Sequence, residues 1–279
     1  MRPLRFLRGR CRVAWRRWRR RPVVARDGDE RYVFRCETDL ERARAETLFS
    51  KEAGTVAWIR ERVEPGETFY DVGANIGLYT LLAAHRVGPG GRVYAFEPHA
   101  PNFVSLLHNV HLNRMSDRVV PLCCALHDRR GFFDFHYHSV VAGSSMHQLD
   151  CRVDGDEVAF QPVISERKLG MTVDALLEEG VIRPAHHVKI DVDGNELLVL
   201  RGMRRLLTGG DRPRSLQVEI NRRYKAELFA FLSECGYEQR ARHDTAFGKS
   251  LLAAGRDPET VAHNAVFGPR LAEGAPACP

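Results

Sequence analysis

Phe69-Tyr70-Asp71-Val72-Gly73-Ala74-Asn75-Ile76-Gly77 carries an apolar segment into an acidic residue and then into two glycines that flank an asparagine. Leu78-Tyr79-Thr80-Leu81-Leu82-Ala83-Ala84 follows and reads as the opening of a helix. A strand that ends in a glycine-rich turn and launches a helix directs free backbone N–H groups, and the positive end of the helix, at one point in space. In a parallel sheet that point lies outside the carboxyl edge, where nucleotide-like ligands bind.

The glycine spacing narrows the ligand. Dinucleotide folds use Gly-x-Gly-x-x-Gly, whereas here Gly73 and Gly77 bracket Asn75 and position 78 is Leu. No Gly-Lys-Ser/Thr follows, so the turn is not a phosphate-cradling P-loop. Asp71 at the strand end would repel a pyrophosphate and favour a cationic amine, which suits S-adenosyl-L-methionine better than NAD. Twenty residues past Gly77, Arg92-Val93-Tyr94-Ala95-Phe96-Glu97-Pro98 is a second apolar strand that ends in a carboxylate. An acid there is placed to accept both ribose hydroxyl hydrogens. Asp71 and Glu97 together resemble the first two cofactor motifs of Rossmann-like methyltransferases. The end of the third strand, Val119-Val120-Pro121-Leu122-Cys123-Cys124, puts Ala125 over the adenine, although Pro121 would disturb a central ladder.

Strand and helix signals alternate along the chain, as in a doubly wound, mostly parallel sheet. A leading helix is predicted from Ser50 to Val63, then helices to about Val87 and from near Pro101 past Val110. Residues 132–138 and 158–164 are β-like segments split by polar sequence and predict an inserted β-hairpin beside the site, a place for acceptor recognition. His136 and His138 would share a face there by the two-residue period, but without a third ligand a surface pair is expected. Thr172 reads as the N-cap of a further helix.

His187-Val188-Lys189-Ile190-Asp191-Val192-Asp193-Gly194-Asn195-Glu196 is the second concentrated signal, with a helix marked beyond it by Leu197, Leu200 and Leu207. Its glycine falls in the fourth place rather than the sixth and no Glu closes the loop at twelve, so it is not a calcium loop. As the fourth strand of the sheet it would end beside the cofactor, across the switch point from the first. Ser215-Leu216-Gln217-Val218-Glu219-Ile220-Asn221 adds another acid and amide at the same edge.

Phe69–Gly77, Phe96-Glu97-Pro98, Asn109–Asn113, Val188–Leu200 and Val218-Glu219 together resemble the FkbM family of S-adenosylmethionine-dependent methyltransferases. Lys189-x-Asp191-x-x-Gly194-x-Glu196 is the more distinctive half, and the likeness spans roughly residues 50 to 240. It implies a Rossmann-like class I methyltransferase that transfers a methyl group in line to a hydroxyl of a sugar, glycolipid or natural product. It places Asp71, Gly73, Asn75, Gly77, Glu97 and Ala125 around the cofactor. For catalysis, Asp191 is the first choice as base or acceptor-positioning group, Glu219 the second, and Lys189 an orienting cation. Asp191 with Asp193 offers oxygen ligands for Mg²⁺, but no metal site is assigned.

Composition bounds these readings. A chain of 279 residues with 44% hydrophobic content supports one domain with appendages: an Arg-rich tail or amphipathic helix over 1–30, the catalytic domain over 31–268, and a flexible tail over 269–279. Residues 1–26 carry eleven arginines and no acid; beyond them 31 basic residues face 36 acidic ones, so the body is net negative although the whole chain carries +6. Leu4, Leu7, Cys11, Trp15 and Trp18 recur at helical steps, the pattern of a basic helix lying on an anionic membrane. Such a segment also suits nucleic acid, which makes an RNA methyltransferase the alternative; the acidic body and the missing Asn/Asp-Pro-Pro-Tyr/Phe element argue against it. A non-catalytic S-adenosylmethionine-binding protein is the other alternative. Seven cysteines with no C-x-x-C pair point to a reducing cytoplasm, with peripheral contact at the inner membrane face. No apolar run reaches membrane-spanning length, and the first thirty residues lack a signal-peptide core.

Overall fold

The computed structural model describes residues 21–153, 155 and 157–270. The stripe of Leu4, Leu7, Cys11, Trp15 and Trp18, and the last nine residues, lie outside the described residues.

An antiparallel hairpin, β1 (Val23–Asp27) and β2 (Glu30–Phe34), opens the described chain. The stretch assigned to a tail over 1–30 therefore includes a paired strand from Val23 onward. Helix α1 (Asp39–Glu46) starts in a capping box: Thr38 Oγ1 accepts from Glu41 N while Glu41 Oε2 accepts from Thr38 N, which satisfies two otherwise orphaned donors. Then come α2 (Ala53–Arg62), β3 (Thr68–Val72), α3 (Leu78–Val87), β4 (Arg92–Phe96), α4 (Ala100–Leu112) and β5 (Val119–Leu122). Asn109 on α4 and Asn113, the cap at its C-terminus, dock this unit onto the hairpin, accepting from the N–H groups of Arg35 and Val33.

The four strands β6 (Ala125–Leu126), β7 (Gly131–Tyr137), β8 (Gln148–Leu149) and β9 (Ile164–Met171) form a small sheet in the order β6-β9-β7-β8. The expected hairpin is thus larger than read, and its second strand begins where the apolar segment 158–164 ends. Charged residues disguise β9: Arg167 pairs across the exposed face with Asp134 of β7 at 3.3 Å, while buried Lys168 on the other face pairs with Glu166 at 2.7 Å, so Glu166-Arg167-Lys168 is strand and not a loop. His136 Nδ1 bonds Ser165 Oγ at 2.7 Å and is buried, while exposed His138 lies past the strand end, so the two do not form a pair.

The chain returns through α5 (Val173–Glu178), β10 (His187–Ile190), α6 (Glu196–Arg201), α7 (Arg204–Thr208), β11 (Ser215–Ile220), α8 (Lys225–Glu234), β12 (Tyr237–His243), α9 (Ala246–Ala253) and β13 (His263–Pro269). Thr172 caps α5 as expected, accepting from Ala175 N at 3.0 Å. The helix read across Leu197–Leu207 is broken at Gly202, where a Cβ would sit 2.0 Å from the carbonyl oxygen of His127.

The main sheet has the order β12-β13-β11-β10-β3-β4-β5, with β11, β10, β3, β4 and β5 parallel and β13 antiparallel to β11. This is the doubly wound, Rossmann-like architecture that the sequence predicts. Both faces are covered, so the central strands are almost wholly buried, and polar residues on them such as Asp71, Lys189 and Gln217 are buried with partners. Phe69, Val93 and Ala95 join the core under α2, α3 and α4, while Tyr70, Val72, Tyr94 and Phe96 join the opposite core under α6 and α8. Pro121 lies on β5, the edge strand, where its missing N–H disturbs no ladder. Among the described residues no helix is long and apolar enough to cross a membrane.

Candidate functional site

From β3 the chain winds outward through β4 to β5 and later returns to the other side of β3 with β10, so strand order reverses between β3 and β10. A crevice opens at such a switch point, at the carboxyl ends of the strands. A cavity lies there, lined by the turn after β3, the ends of β4, β10 and β11, and residues 144–149.

The turn after β3 is shaped by left-handed backbone at Gly73 (φ +79), Asn75 (φ +49) and Gly77 (φ +90). Gly73 N and Ala74 N both donate to Phe96 O, tying the turn to the end of β4. Asn75 N donates to Glu97 Oε2 at 2.6 Å and His99 N to Oε1 at 2.8 Å, so Glu97 is held against the cavity by two backbone donors. Burial pushes its carboxyl up to about 7, against the pull of those two N–H groups. Phe96, Ala125, Leu126, Phe135 and Leu149 form an apolar wall beside it.

Asp71 and Gly77 do not line the cavity. Asp71 is fully buried beneath the turn, where Thr80 Oγ1 donates to its Oδ2 at 2.5 Å and Lys189 Nζ lies 3.7 Å from its Oδ1. Burial raises its carboxyl, with Lys189 and Thr80 opposing. Lys189 is itself buried and reaches Asp191 Oδ2 at 3.1 Å, with its ammonium over the Tyr79 ring. Burial disfavours that charge, yet Asp191, Asp71 and Glu52 outweigh it and hold the amine above the ordinary lysine range. Lys189 is therefore the buried counter-ion of two carboxylates, one below the turn and one in the cavity.

Asp191, Asp193, Asn195 and Glu219 line the cavity from the side of β10 and β11. Burial raises Asp191, but Lys189, helped by Lys51, overrides it and brings the carboxyl below its usual range. Asp193 is pushed up to about 6 by burial and the Asp191 charge, and its Oδ2 accepts from Met146 N at 2.6 Å. Glu219 is driven well above the usual range by burial and then by Asp191, Glu196 and Asp193. One oxygen each from Asp191, Asp193 and Glu219 lie within 4.8 Å of one another, an all-oxygen donor set of the kind hard divalent cations take. Glu196, which ends the Lys189–Glu196 motif, is a clasp: its Oε1 accepts from both Val192 N and Gly194 N at 3.0 Å.

Residues 142–147 roof the cavity. Asn75 Nδ2 and Asn102 Nδ2 both donate to Ser144 O, Gly143 N donates to Asn102 Oδ1, and Thr38 Oγ1 donates to Ala142 O. His147 accepts at Nδ1 from His138 N, so Nε2 carries the hydrogen and faces Ser144 Oγ at 3.1 Å. Burial with His99 and His138 lowers its pKa to about 3. This neutral, clamped histidine orders the roof and is not a free base. Arg44, Lys51 and Glu52 close the remaining wall. Apart from Asn75 and His138, none of these residues is singled out by the sequence, because each reaches the cavity from a segment with no motif of its own.

The sheet order, the glycine turn and the carboxylates around the switch point define a Rossmann-like domain with a nucleotide-type cavity. The methyltransferase FkbM domain matches residues 71–238, and the chain belongs to that family. Over 152 residues it is 29% identical to the hexuronic acid methyltransferase AglP of Haloferax volcanii, which covers 54% of this chain and 56% of that protein. It is 42% identical over 76 residues to the 31-O-demethyl-FK506 methyltransferase FkbM of Streptomyces tacrolimicus, covering 26% of this chain and 28% of that one. The chain thus matches about half the length of the first relative and about a quarter of the second. Among solved structures, a methyltransferase FkbM from Methylobacillus flagellatus aligns with 84% of this chain and 56% of its own at 14% identity and a TM-score of 0.45. Fibrillarin from Aeropyrum pernix aligns with 88% of this chain and 82% of its own at 13% identity and a TM-score of 0.47.

Proposed function

We propose that this protein is an S-adenosyl-L-methionine-dependent O-methyltransferase whose acceptor is a hydroxyl of a sugar, glycolipid or related natural product. The observation that carries this reading is the convergence of the Gly73–Asn75 turn, Glu97 and Asp191 on one cavity at the switch point. The residues suit the cofactor. Glu97 offers carboxylate oxygens where a ribose diol would lie, Phe96, Ala125 and Leu126 supply an apolar wall for a base, and Asp193 and Glu52 offer acids to a cationic amino acid end. The hexuronic acid methyltransferase relative favours a sugar acceptor.

When bound, the cofactor supplies an activated methyl group on a sulfonium. Asp191 is the residue best suited to take the acceptor hydroxyl proton, because Lys189 at 3.1 Å keeps it ionised. Proton removal by a positioned carboxylate contributes about 10²–10⁴-fold. Asp193 is the more basic neighbour, but Met146 N occupies its Oδ2. Burial and the neighbouring carboxylates disfavour the charged form of Glu219, and its Oε2 already accepts from Asn221 Nδ2 at 2.9 Å, which leaves it second to Asp191. Holding the acceptor oxygen in line with the methyl supplies most of the remaining acceleration.

Two measurements test this reading. Calorimetric titration with S-adenosylmethionine should show one site per chain, and transfer of labelled methyl to a panel of uronic acids, glycolipids and polyols should give a product with a new methyl on oxygen. Absence of cofactor binding would reject the reading. Turnover in EDTA separates proton transfer by carboxylates alone from a mechanism in which Asp191, Asp193 and Glu219 hold Mg²⁺.

A further inference from the structure

A second cavity, a groove of about 910 Å³, opens where β11 ends and α8 begins. It shares the carboxyl edge of the sheet with the first cavity. Glu219 lines the first, Ile220 pairs with His263 on β13, and Arg222 to Glu227 line the second. Nothing in the methyl-transfer reading uses it.

Its chemistry is balanced rather than ionic. Three of its four cations are already paired: Arg222 with Glu157 at 3.4 Å, Lys225 with Glu259 at 2.6 Å and Arg242 with Asp244 at 3.0 Å. The fourth, Arg223, lies over the Tyr224 ring and donates to the Tyr224 hydroxyl at 3.1 Å. Donors and acceptors without partners supply the rest. Helix α8 has no side-chain cap, and among the described residues the first-turn N–H groups of Lys225, Ala226 and Glu227 meet no acceptor. His263 is 3% exposed, and its Nδ1 is spent on Val261 O. With that nitrogen donating to a carbonyl, Nε2 is a bare lone pair, and among the described residues it has no partner. Burial lowers the pKa of His263, which keeps the ring neutral. Tyr224 is held in left-handed backbone at φ +58, a conformation that favours glycine, and both Tyr224 and Phe229 line the groove. Strained non-glycine backbone clusters at sites where a side chain has a task.

We propose that this groove binds a saccharide portion of the acceptor beyond the hydroxyl that is methylated, so that the preferred acceptor is an oligosaccharide or oligosaccharide-bearing lipid rather than a single sugar. The proposal rests on the methyltransferase reading. Paired charges give an inorganic anion little to bind, whereas free N–H donors, a histidine lone pair and two aromatic rings match a polyol with apolar ring faces.

The test uses the full chain and the variant Tyr224→Gly, which relieves the left-handed strain while removing the ring. Binding of neutral and uronic-acid trisaccharides, the matching monosaccharides and inorganic phosphate is measured by calorimetry with S-adenosylmethionine present. The expected result is that at least one trisaccharide binds the wild type, at least tenfold more tightly than its monosaccharide. Tyr224→Gly then weakens that binding at least tenfold without loss of thermal stability or cofactor affinity. Failure of every trisaccharide to bind, equal affinity in Tyr224→Gly, or binding of phosphate alone overturns the proposal. Cofactor affinity is read in the same titrations, so loss of the methyltransferase reading is seen separately from loss of the groove.

Discussion

A Cβ placed on Gly73 would lie 1.8 Å from the carbonyl oxygen of Asp191. The turn after β3 and the end of β10 therefore touch backbone to backbone, and that contact brings the cofactor turn and the candidate base into one cavity. Val72 O also accepts from Asp191 N at 3.1 Å, so neither strand end can retreat alone. Gly73 is required twice over, by its φ of +79 and by this approach. Gly73→Ala should lower stability by about 2–4 kcal/mol, combining left-handed strain with the displacement of β10. In a domain of this size that is roughly 5–15 °C in Tm by calorimetry. Cofactor affinity should fall at least tenfold in the same preparation.

The parts of the site that were legible from sequence are those written locally. Gly73, Glu97, Asp191 and Glu219 each end a short apolar strand, and that pattern alone places them at one edge of a parallel sheet. Asp71 and Lys189 were legible as residues but not in their place: Asp71 lies under the turn, and Lys189 joins it to Asp191. The roof was not legible. Asn102 and Ser144 meet across 42 positions, and no periodicity in either segment encodes that hydrogen bond. Strand β9 is obscured because the charged run Glu166-Arg167-Lys168 spreads over both of its faces and hides the two-residue period, and β1 because it follows an arginine run that dominates composition.

Lys189 is the group whose loss should be felt most in stability. Among the described residues it is the one buried cation facing both Asp71 and Asp191. Removing one partner of a buried ion pair costs about 3–5 kcal/mol, since the others are left buried and uncompensated. Lys189→Met should therefore destabilise by that order in denaturant unfolding. The double variant Lys189→Met with Asp71→Asn should recover part of the loss. Full stability in the single variant would mean that the network is not coupled as the distances indicate.

Asp191→Asn tests the assignment of the base. The amide keeps the size of the side chain but cannot take a proton, so kcat should drop about 10²-fold or more. Affinity for S-adenosylmethionine should change only a few-fold, because Glu97 and the glycine turn are untouched. A variant that binds cofactor normally and turns over at the wild-type rate would remove Asp191 from the mechanism.

Glu97 makes cofactor binding pH-dependent in a definite direction. Its carboxyl is raised to about 7 by burial, with Asp193 and Asp71 adding to the shift and the Asn75 and His99 N–H groups opposing it. A ribose diol needs the ionised form as acceptor, and that form dominates only above about 7. Affinity should therefore increase from pH 6 to pH 8 and fall by up to about tenfold per unit well below 7. Glu97→Gln should flatten this profile and weaken binding roughly 10–100-fold at pH 8, the worth of hydrogen bonds to a charged acceptor. Titrations at several pH values in wild type and variant would check both.

Contact with an anionic membrane would explain why the arginine-rich start enters the fold where it does. Arg42 on α1 donates to Arg21 O at 3.0 Å, so the segment joins the domain beside α1. The same helix packs on the cavity roof, where a Cβ on Gly143 would meet Leu40 Cβ at 3.1 Å. Leu40 on that helix and Val140 and Val141, just before the roof residues Ser144 and Ser145, are 47%, 52% and 42% exposed. Apolar burial plus attraction to acidic headgroups is how interfacial segments bind, at about 1 kcal/mol per basic residue near the surface. The protein should co-sediment with phosphatidylglycerol vesicles and much less with phosphatidylcholine vesicles, and 0.5 M salt should weaken the binding. Trp15→Ala with Trp18→Ala, and separately Val141→Asp, should each reduce the bound fraction. Equal sedimentation with both lipids would show that the arginine-rich start serves another partner, and RNA titrated at several salt concentrations would then be the next measurement.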